Sequence, residues 1–240
     1  LTTVLDATTV TADPDAAPET APQQVTPAPA TPVNDIAETP EPEDTDPHEA
    51  GLRELTGHDY LVATVWSIAG ALATTVMSVL FLPVHLMALT FVLGAGLGML
   101  GYLDQCTHLI RNKHTLVFAA AAALLLTATQ ILSPAAAILI PALVAAAVTF
   151  IFMLGLTVVT GFAGGGDIKL SPVPAALLAA VSPIAAMMWL LFTFLLCLVA
   201  MTAAKLSGSK RMEVAMGPFM AVGAVLALGA YGMLSQVLGI

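Results

Sequence analysis

Two aspartates stand almost alone in the apolar part of this chain. After Tyr60 the only acidic residues are Asp104, Asp167 and Glu213. An aspartate beside a membrane span is costly unless it has a partner or a task. Asp167 closes the run Gly164-Gly165-Gly166, and Asp104 stands where another apolar stretch ends. Two carboxyl groups at helix ends that can meet point to acid/base chemistry at a membrane surface. The glycines fit such a site physically, because they tolerate backbone conformations and close approaches that other residues forbid. An extended substrate strand could lie directly against that backbone, beside the carboxylate. As a bare pattern, a glycine-rich loop between two spans is more often a simple turn. It is not a phosphate loop, because no Gly-Lys-Ser/Thr follows Asp167.

Charge divides the chain into two unlike parts. Residues 1–59 carry thirteen acids against one base, Arg53, for a net of −12, whereas residues 60–240 carry six bases and three acids, for a net of +3. The acidic balance therefore describes the tail and not the body. A hydrophobic content of 58% and a mean hydropathy of +0.91 exceed what a water-soluble domain needs. Nine of the sixteen prolines fall in the tail amid Ala, Thr, Asp and Glu. Such a segment cannot bury enough apolar surface to offset its chain entropy, so residues 1–57 are expected to be a disordered cytoplasmic tail. They show no basic start followed by an apolar run, the mark of a secretory signal. Two cysteines, Cys106 and Cys197, are too few for a disulfide framework.

The body, residues 58–240, reads as membrane helices. No Asp, Glu, Lys or Arg occurs from Tyr60 to Leu103, and Pro83 divides that run into helices at 60–82 and 84–103. Each is long enough to cross a hydrocarbon core of ~30 Å at 1.5 Å per residue. A polar stretch from Asp104 to His114 follows. The uncharged run from Thr115 to Thr160 again holds two helices, broken at Ser133-Pro134, and returns the chain to the side of Asp104. The two aspartates thus share one membrane face. From Leu170 to Ala204 two readings stand: one long helix, or a short helix at 168–181, a turn at Ser182-Pro183 and a full helix at 184–204. The second places Arg111, Lys113, Lys169, Lys205, Lys210 and Arg211 on one side, which the positive-inside rule makes cytoplasmic. A last span at 218–238 would put the C-terminus outside. The expected fold is an all-α polytopic membrane protein with about seven transmembrane helices, one short and starting at the glycine-aspartate motif.

Gly164-Gly165-Gly166-Asp167-Ile168-Lys169 resembles the GxGD signature of the prepilin peptidases, or type IV leader peptidases. The segment Asp104 to Thr115 is similar to that family's first-aspartate motif, with Ile110, Asn112 and Thr115 matching and Arg111 standing in place of a proline. Gly217-Pro218-Phe219 matches the family's Gly-Pro-Phe, although Val214-Ala215 replaces the usual Ile-Pro. The resemblance covers about residues 84–237. It implies an aspartic endopeptidase that removes the leader from prepilin-like precursors at the cytoplasmic face of the plasma membrane. Asp104 and Asp167 would form the catalytic pair, one activating water and the other polarising the scissile carbonyl. Two carboxylates sharing a site cannot both ionise easily, so their titrations couple. Gly164, Gly165, Gly166, Lys169, Arg111 and Asn112 would support substrate or pair; Lys169 reads equally as a snorkelling helix-end lysine.

Larger members of that family carry paired Cys-x-x-Cys motifs in a domain between their first helices. Only a turn at Pro83 joins those helices here, so the chain looks like the short, peptidase-only type of Tad (Flp) pilus systems. No cofactor, no metal and no nucleic-acid partner is expected; the partners are a precursor protein and the lipid bilayer. Competing readings are a small transporter or proton-coupled membrane protein, and an inactive relative kept for pilus or secretion assembly. The tail has no apolar pattern with which to pack on the body. Deleting residues 2–50 should therefore leave leader cleavage intact, or raise it slightly at low salt; loss of cleavage in a well-inserted truncation would make the tail part of the enzyme.

Overall fold

The computed structural model describes residues 55–107, 110, 112–161, 164–207 and 215–239. The tail up to Glu54, His108, Arg111, Lys210, Arg211 and Glu213 lie outside these residues. The described chain is built of helices: α1 (Gly57–Phe81), α2 (Met87–Thr107), α3 (Asn112–Leu132), α4 (Leu139–Thr160), α5 (Gly165–Leu170), α6 (Pro172–Val181), α7 (Pro183–Leu206) and α8 (Gly217–Leu238). Among the described residues six helices are long and apolar enough to cross a membrane: α1, α2 with the turn before it, α3, α4, α7 and α8. The protein is a multi-pass, all-α membrane protein. The seventh unit is the pair α5–α6, which spans ~25 Å at 1.5 Å per residue against a core of ~30 Å.

Prolines set most of the breaks. Leu82, the residue before Pro83, is extended at φ −119°, the conformation a proline ring favours in its predecessor. Ser182, before Pro183, is extended too (φ −165°), and its hydroxyl accepts the Ile184 N–H at 3.2 Å as the cap of α7. Gly161 ends α4 at φ +64°, a left-handed position that suits glycine. Pro172 separates α5 from α6 without turning the chain, because Ser171 keeps helical angles. The proline has no N–H to offer the Ile168 carbonyl; the Ser171 hydroxyl donates to that oxygen instead, at 3.3 Å.

Several boundaries differ from the sequence reading. α2 continues to Thr107, so Asp104 lies inside its last turn and not in the loop beyond. α3 begins at Asn112, three residues before the expected start. The short helix starts at the glycine-aspartate motif as expected, but its first residue is Gly165, before the 168 bound, which puts Asp167 in its first turn. Asp59, counted above with the acidic tail, belongs to α1: its carboxylate accepts the Thr56 N–H at 2.9 Å and the Thr56 hydroxyl at 2.8 Å, while its own N–H reaches the Thr56 hydroxyl. Charge and apolar runs mark where a helix becomes expensive in lipid, but a helix continues past that point while its backbone hydrogen bonds continue. The long-helix reading of 170–204 is excluded by the break at Ser182-Pro183.

α2 is the central span: 56% of it is buried, against 17–28% for the others, whose outer faces are left to lipid. α1 packs most extensively on α2, α7 on α8, and α6 on α4. The α1–α2 contact is a backbone-to-backbone approach. A Cβ on Gly94 would strike the Gly70 carbonyl and the Thr74 hydroxyl, and one on Gly98 would strike the Trp66 carbonyl. Small residues drive such packing in lipid, where apolar burial alone gives no preference for another helix. The Thr74 hydroxyl adds a bond across the contact, donating to the Thr90 carbonyl at 2.7 Å. α7 and α8 are tied in the same manner by Trp189 Nε1, which donates to the Met220 carbonyl at 3.0 Å.

The glycines separate into two kinds, and substitution should sort them. Gly94→Ala should lower stability by ~1–3 kcal/mol, because the methyl must push α1 from α2. Gly155→Ala, in α4 with open space around it, should be neutral or stabilise by up to ~1 kcal/mol. Thermal unfolding in detergent checks both signs.

Candidate active site

The site is assembled at one end of the bundle from the end of α2 with the start of α3, the first turn of α5 and the start of α8. Asp104 comes from the last turn of α2 and is buried, 5% exposed. Its Oδ2 accepts the backbone N–H of Gly217, the first residue of α8, at 2.8 Å. That contact places the end of α2 and the start of α8 side by side. Asp167 comes from the first turn of α5. Its Oδ2 folds back to accept the Gly164 N–H at 3.3 Å, while its Oδ1 is buried and has no hydrogen-bond partner.

The two motif segments also touch directly. Gly166 packs on Ile110, in the connection between α2 and α3; a Cβ on Gly166 would lie 3.1 Å from the Ile110 Cβ. Lys169 Nζ donates to the Asn112 side-chain oxygen at 3.1 Å, joining α5 to the start of α3. The structure thus brings Asp104, Gly164, Gly166, Asp167, Lys169 and Asn112 into one region. Gly165 is exposed with nothing near its Cα, and Arg111 lies outside the described residues.

Electrostatics couple the two acids. Burial, reinforced by the nearby Asp104 charge and opposed by the Gly164 N–H, pushes the Asp167 carboxyl up from 3.8 to about 7. A carboxyl poised near neutrality beside a second carboxyl is the pattern of an acid/base pair that holds one proton between two groups. Such a pair can accept a proton at one oxygen and donate one from another in the same event.

Two neighbours of the pair went unmarked by sequence reasoning. Gly101, one turn before Asp104, backs onto Gly217, and a Cβ there would lie 3.1 Å from the Gly217 carbonyl group and the Pro218 nitrogen. A glycine one turn from a span-end aspartate was the available signal. Cys197, noted above only as a mid-span cysteine, is 2% exposed and lies within electrostatic reach of Asp167. Nothing in its spacing announced this, because Cys197 and Asp167 stand on different helices and only the fold brings them near.

The fold and site together define a multi-pass helical membrane protein with two aspartates, Asp104 buried and Asp167 partly buried, within electrostatic reach of each other at one end. Comparison of the chain with protein-family models, with curated proteins and with solved structures finds no match in any of the three.

The coupling makes a spectroscopic prediction. A protonated-carboxyl band in the infrared should be present at pH 6, fade as the pH rises through about 7, and be missing in Asp167→Asn. In Asp104→Asn the midpoint should fall, since one raising influence is gone, yet stay above the ordinary carboxylate value because burial is the larger cause. A band that ignores Asp167→Asn would sink this assignment.

Proposed function

We propose that the chain is an intramembrane aspartic endopeptidase of the prepilin-peptidase type, acting on prepilin-like precursors at the cytoplasmic membrane face. The observation that carries this reading is that Asp104 and Asp167, two of the three acids in the apolar body, stand within electrostatic reach of each other, their segments joined by the Gly166–Ile110 contact and the Lys169–Asn112 bond. The acids sit at helix ends on one end of the bundle, where an aqueous peptide can reach them.

The reaction follows from the shared proton. The ionised carboxylate takes a proton from a water, whose oxygen bonds to the scissile carbonyl carbon. The protonated carboxyl gives its proton to the carbonyl oxygen, forming a neutral gem-diol. Collapse returns a proton from the diol to the pair and delivers one to the leaving nitrogen, so the C–N bond breaks and the pair regains its single proton. The glycine run contributes backbone at the point of attack: Gly164 is extended (φ −70°, ψ 156°), and neither it nor Gly165 carries a side chain to hold a peptide strand away. Lys169, engaged with Asn112, acts as a brace between the two motif segments.

Orientation rests on charge. Lys113, Lys169 and Lys205 lie at the ends of helices on the side of the aspartates, as the chain's crossings require, and the positive-inside rule makes that side the cytoplasm. The precursor's short basic leader would meet the site there.

Co-expression with a prepilin-like precursor tests the reading. Asp104→Asn and Asp167→Asn should each reduce leader removal by orders of magnitude, and the double variant should cost little more, since residues that act as a unit are not additive. Glu213→Gln should cleave normally. Normal processing by either aspartate variant is incompatible with the mechanism.

A further inference from the structure

The hydrogen bond from Gly217 to Asp104 joins residues 113 positions apart and has a construction of its own. Gly217 begins α8, and the first N–H groups of a helix have no acceptor within it. The next residue, Pro218, has no N–H, and the Phe219 and Met220 amides both donate to the Met216 carbonyl at 3.1 Å. The first turn of α8 therefore directs one amide, that of Gly217, onto the Asp104 carboxylate. At 2.8 Å and buried, this is a short bond of the charge-assisted kind.

The approach depends on two missing side chains. A Cβ on Gly217 would stand 2.9 Å from the Gly101 Cα and 3.0 Å from both the Asp104 Cβ and Oδ2. A Cβ on Gly101 would press on the Gly217 carbonyl group and the Pro218 nitrogen from the other side. Both surfaces are thus bare backbone where α2 and α8 cross. The pair is held unequally: Asp167 is tethered within its own turn by the Gly164 N–H, whereas Asp104 is held from another helix.

We infer that the Gly217 N–H is a positioning group for Asp104, so that the head of α8 is a working part of the catalytic pair. The catalytic consequence rests on the peptidase reading; the hydrogen bond itself does not. Acid/base catalysis needs its groups within hydrogen-bond reach of the reacting atoms, and the Gly217 N–H fixes where one oxygen of the Asp104 carboxylate points. The Pro218 ring supports the arrangement by fixing the helix start while removing the competing donor.

Two measurements separate this inference from the reading beneath it. In protein labelled with ¹⁵N-glycine and reconstituted in nanodiscs, the Gly217 amide should exchange slowly. Exchange should speed up at least tenfold in Asp104→Ala and stay as in the wild type in Asp167→Ala. An amide indifferent to Asp104→Ala overturns the positioning role, whatever the protein cleaves. The second measurement replaces Gly217 by glycolate through nonsense suppression, which turns the N–H into an oxygen and adds no volume. With a prepilin-like precursor, kcat should fall roughly 10–100-fold, as loss of a hydrogen bond to a charged group implies, with KM within about twofold and the melting temperature little changed. An unchanged kcat, or a loss carried by KM or by unfolding, overturns the inference. Failure of the unmodified protein to cleave any precursor would overturn the peptidase reading alone, and the exchange result would still decide the role of Gly217.

Discussion

A carboxylate can be kept inside a membrane protein only where donors or a proton compensate the water it has lost. The rest of this structure follows from how that demand is met twice at one end of the bundle. Asp104 is met by an amide from α8, and Asp167 by an amide of its own turn together with a proton retained near neutral pH. For Asp104 the backbone comes so close that Gly101 and Gly217 leave no room for a Cβ. For Asp167 the donor is the Gly164 N–H of its own turn, the kind of bond that Thr56 also gives to Asp59.

The helices are arranged to make these approaches possible. α2 is buried in the middle of the bundle, with α1 on one side through the Gly70–Gly94 contact and α8 on another. The α5–α6 unit is shorter than a full span. It therefore need not begin at the membrane surface, and its first turn, with Asp167, comes within electrostatic reach of Cys197 on α7. α7 runs on to Leu206, about 13 Å past Cys197 at the rise of an α-helix. Burial of the Asp167 carboxyl, with the Asp104 charge beside it, is the origin of its raised proton affinity. The Lys169–Asn112 bond and the Gly166–Ile110 contact hold the two acid-bearing segments in register.

The division between fold stability and site chemistry is unusually clear along α2. Its earlier glycines, Gly94 and Gly98, build the scaffold against α1, while Gly101, less than one turn later, builds the site against α8. The same physical device, close packing of bare backbone in lipid, does both. The central helix, the most buried of the six long spans, has partners on enough sides to hold the Asp104 carboxylate out of lipid.

The sequence alone determined the class of fold, the approximate spans and the two acids, because membrane insertion is governed by local composition. Twenty apolar residues cross a bilayer wherever they stand, and a lone Asp among them is conspicuous. It also determined that Asp104 and Asp167 share a face, since two crossings between them suffice. Helix ends were less legible: Asp104 lies within the last turn of α2 and not in the loop beyond, because backbone hydrogen bonding outlasts the apolar run, whereas the short helix does start at the glycine-aspartate motif. The choice between one long helix and a short one with a turn stood open in composition. The structure decided it through Ser182-Pro183 and through Gly217 arriving beside Asp104, which requires α8 to start where α2 ends. The donor to Asp104, the backing glycine at 101 and the nearness of Cys197 belonged wholly to the tertiary structure. They join residues on different helices, and no local pattern records which faces of two helices will meet.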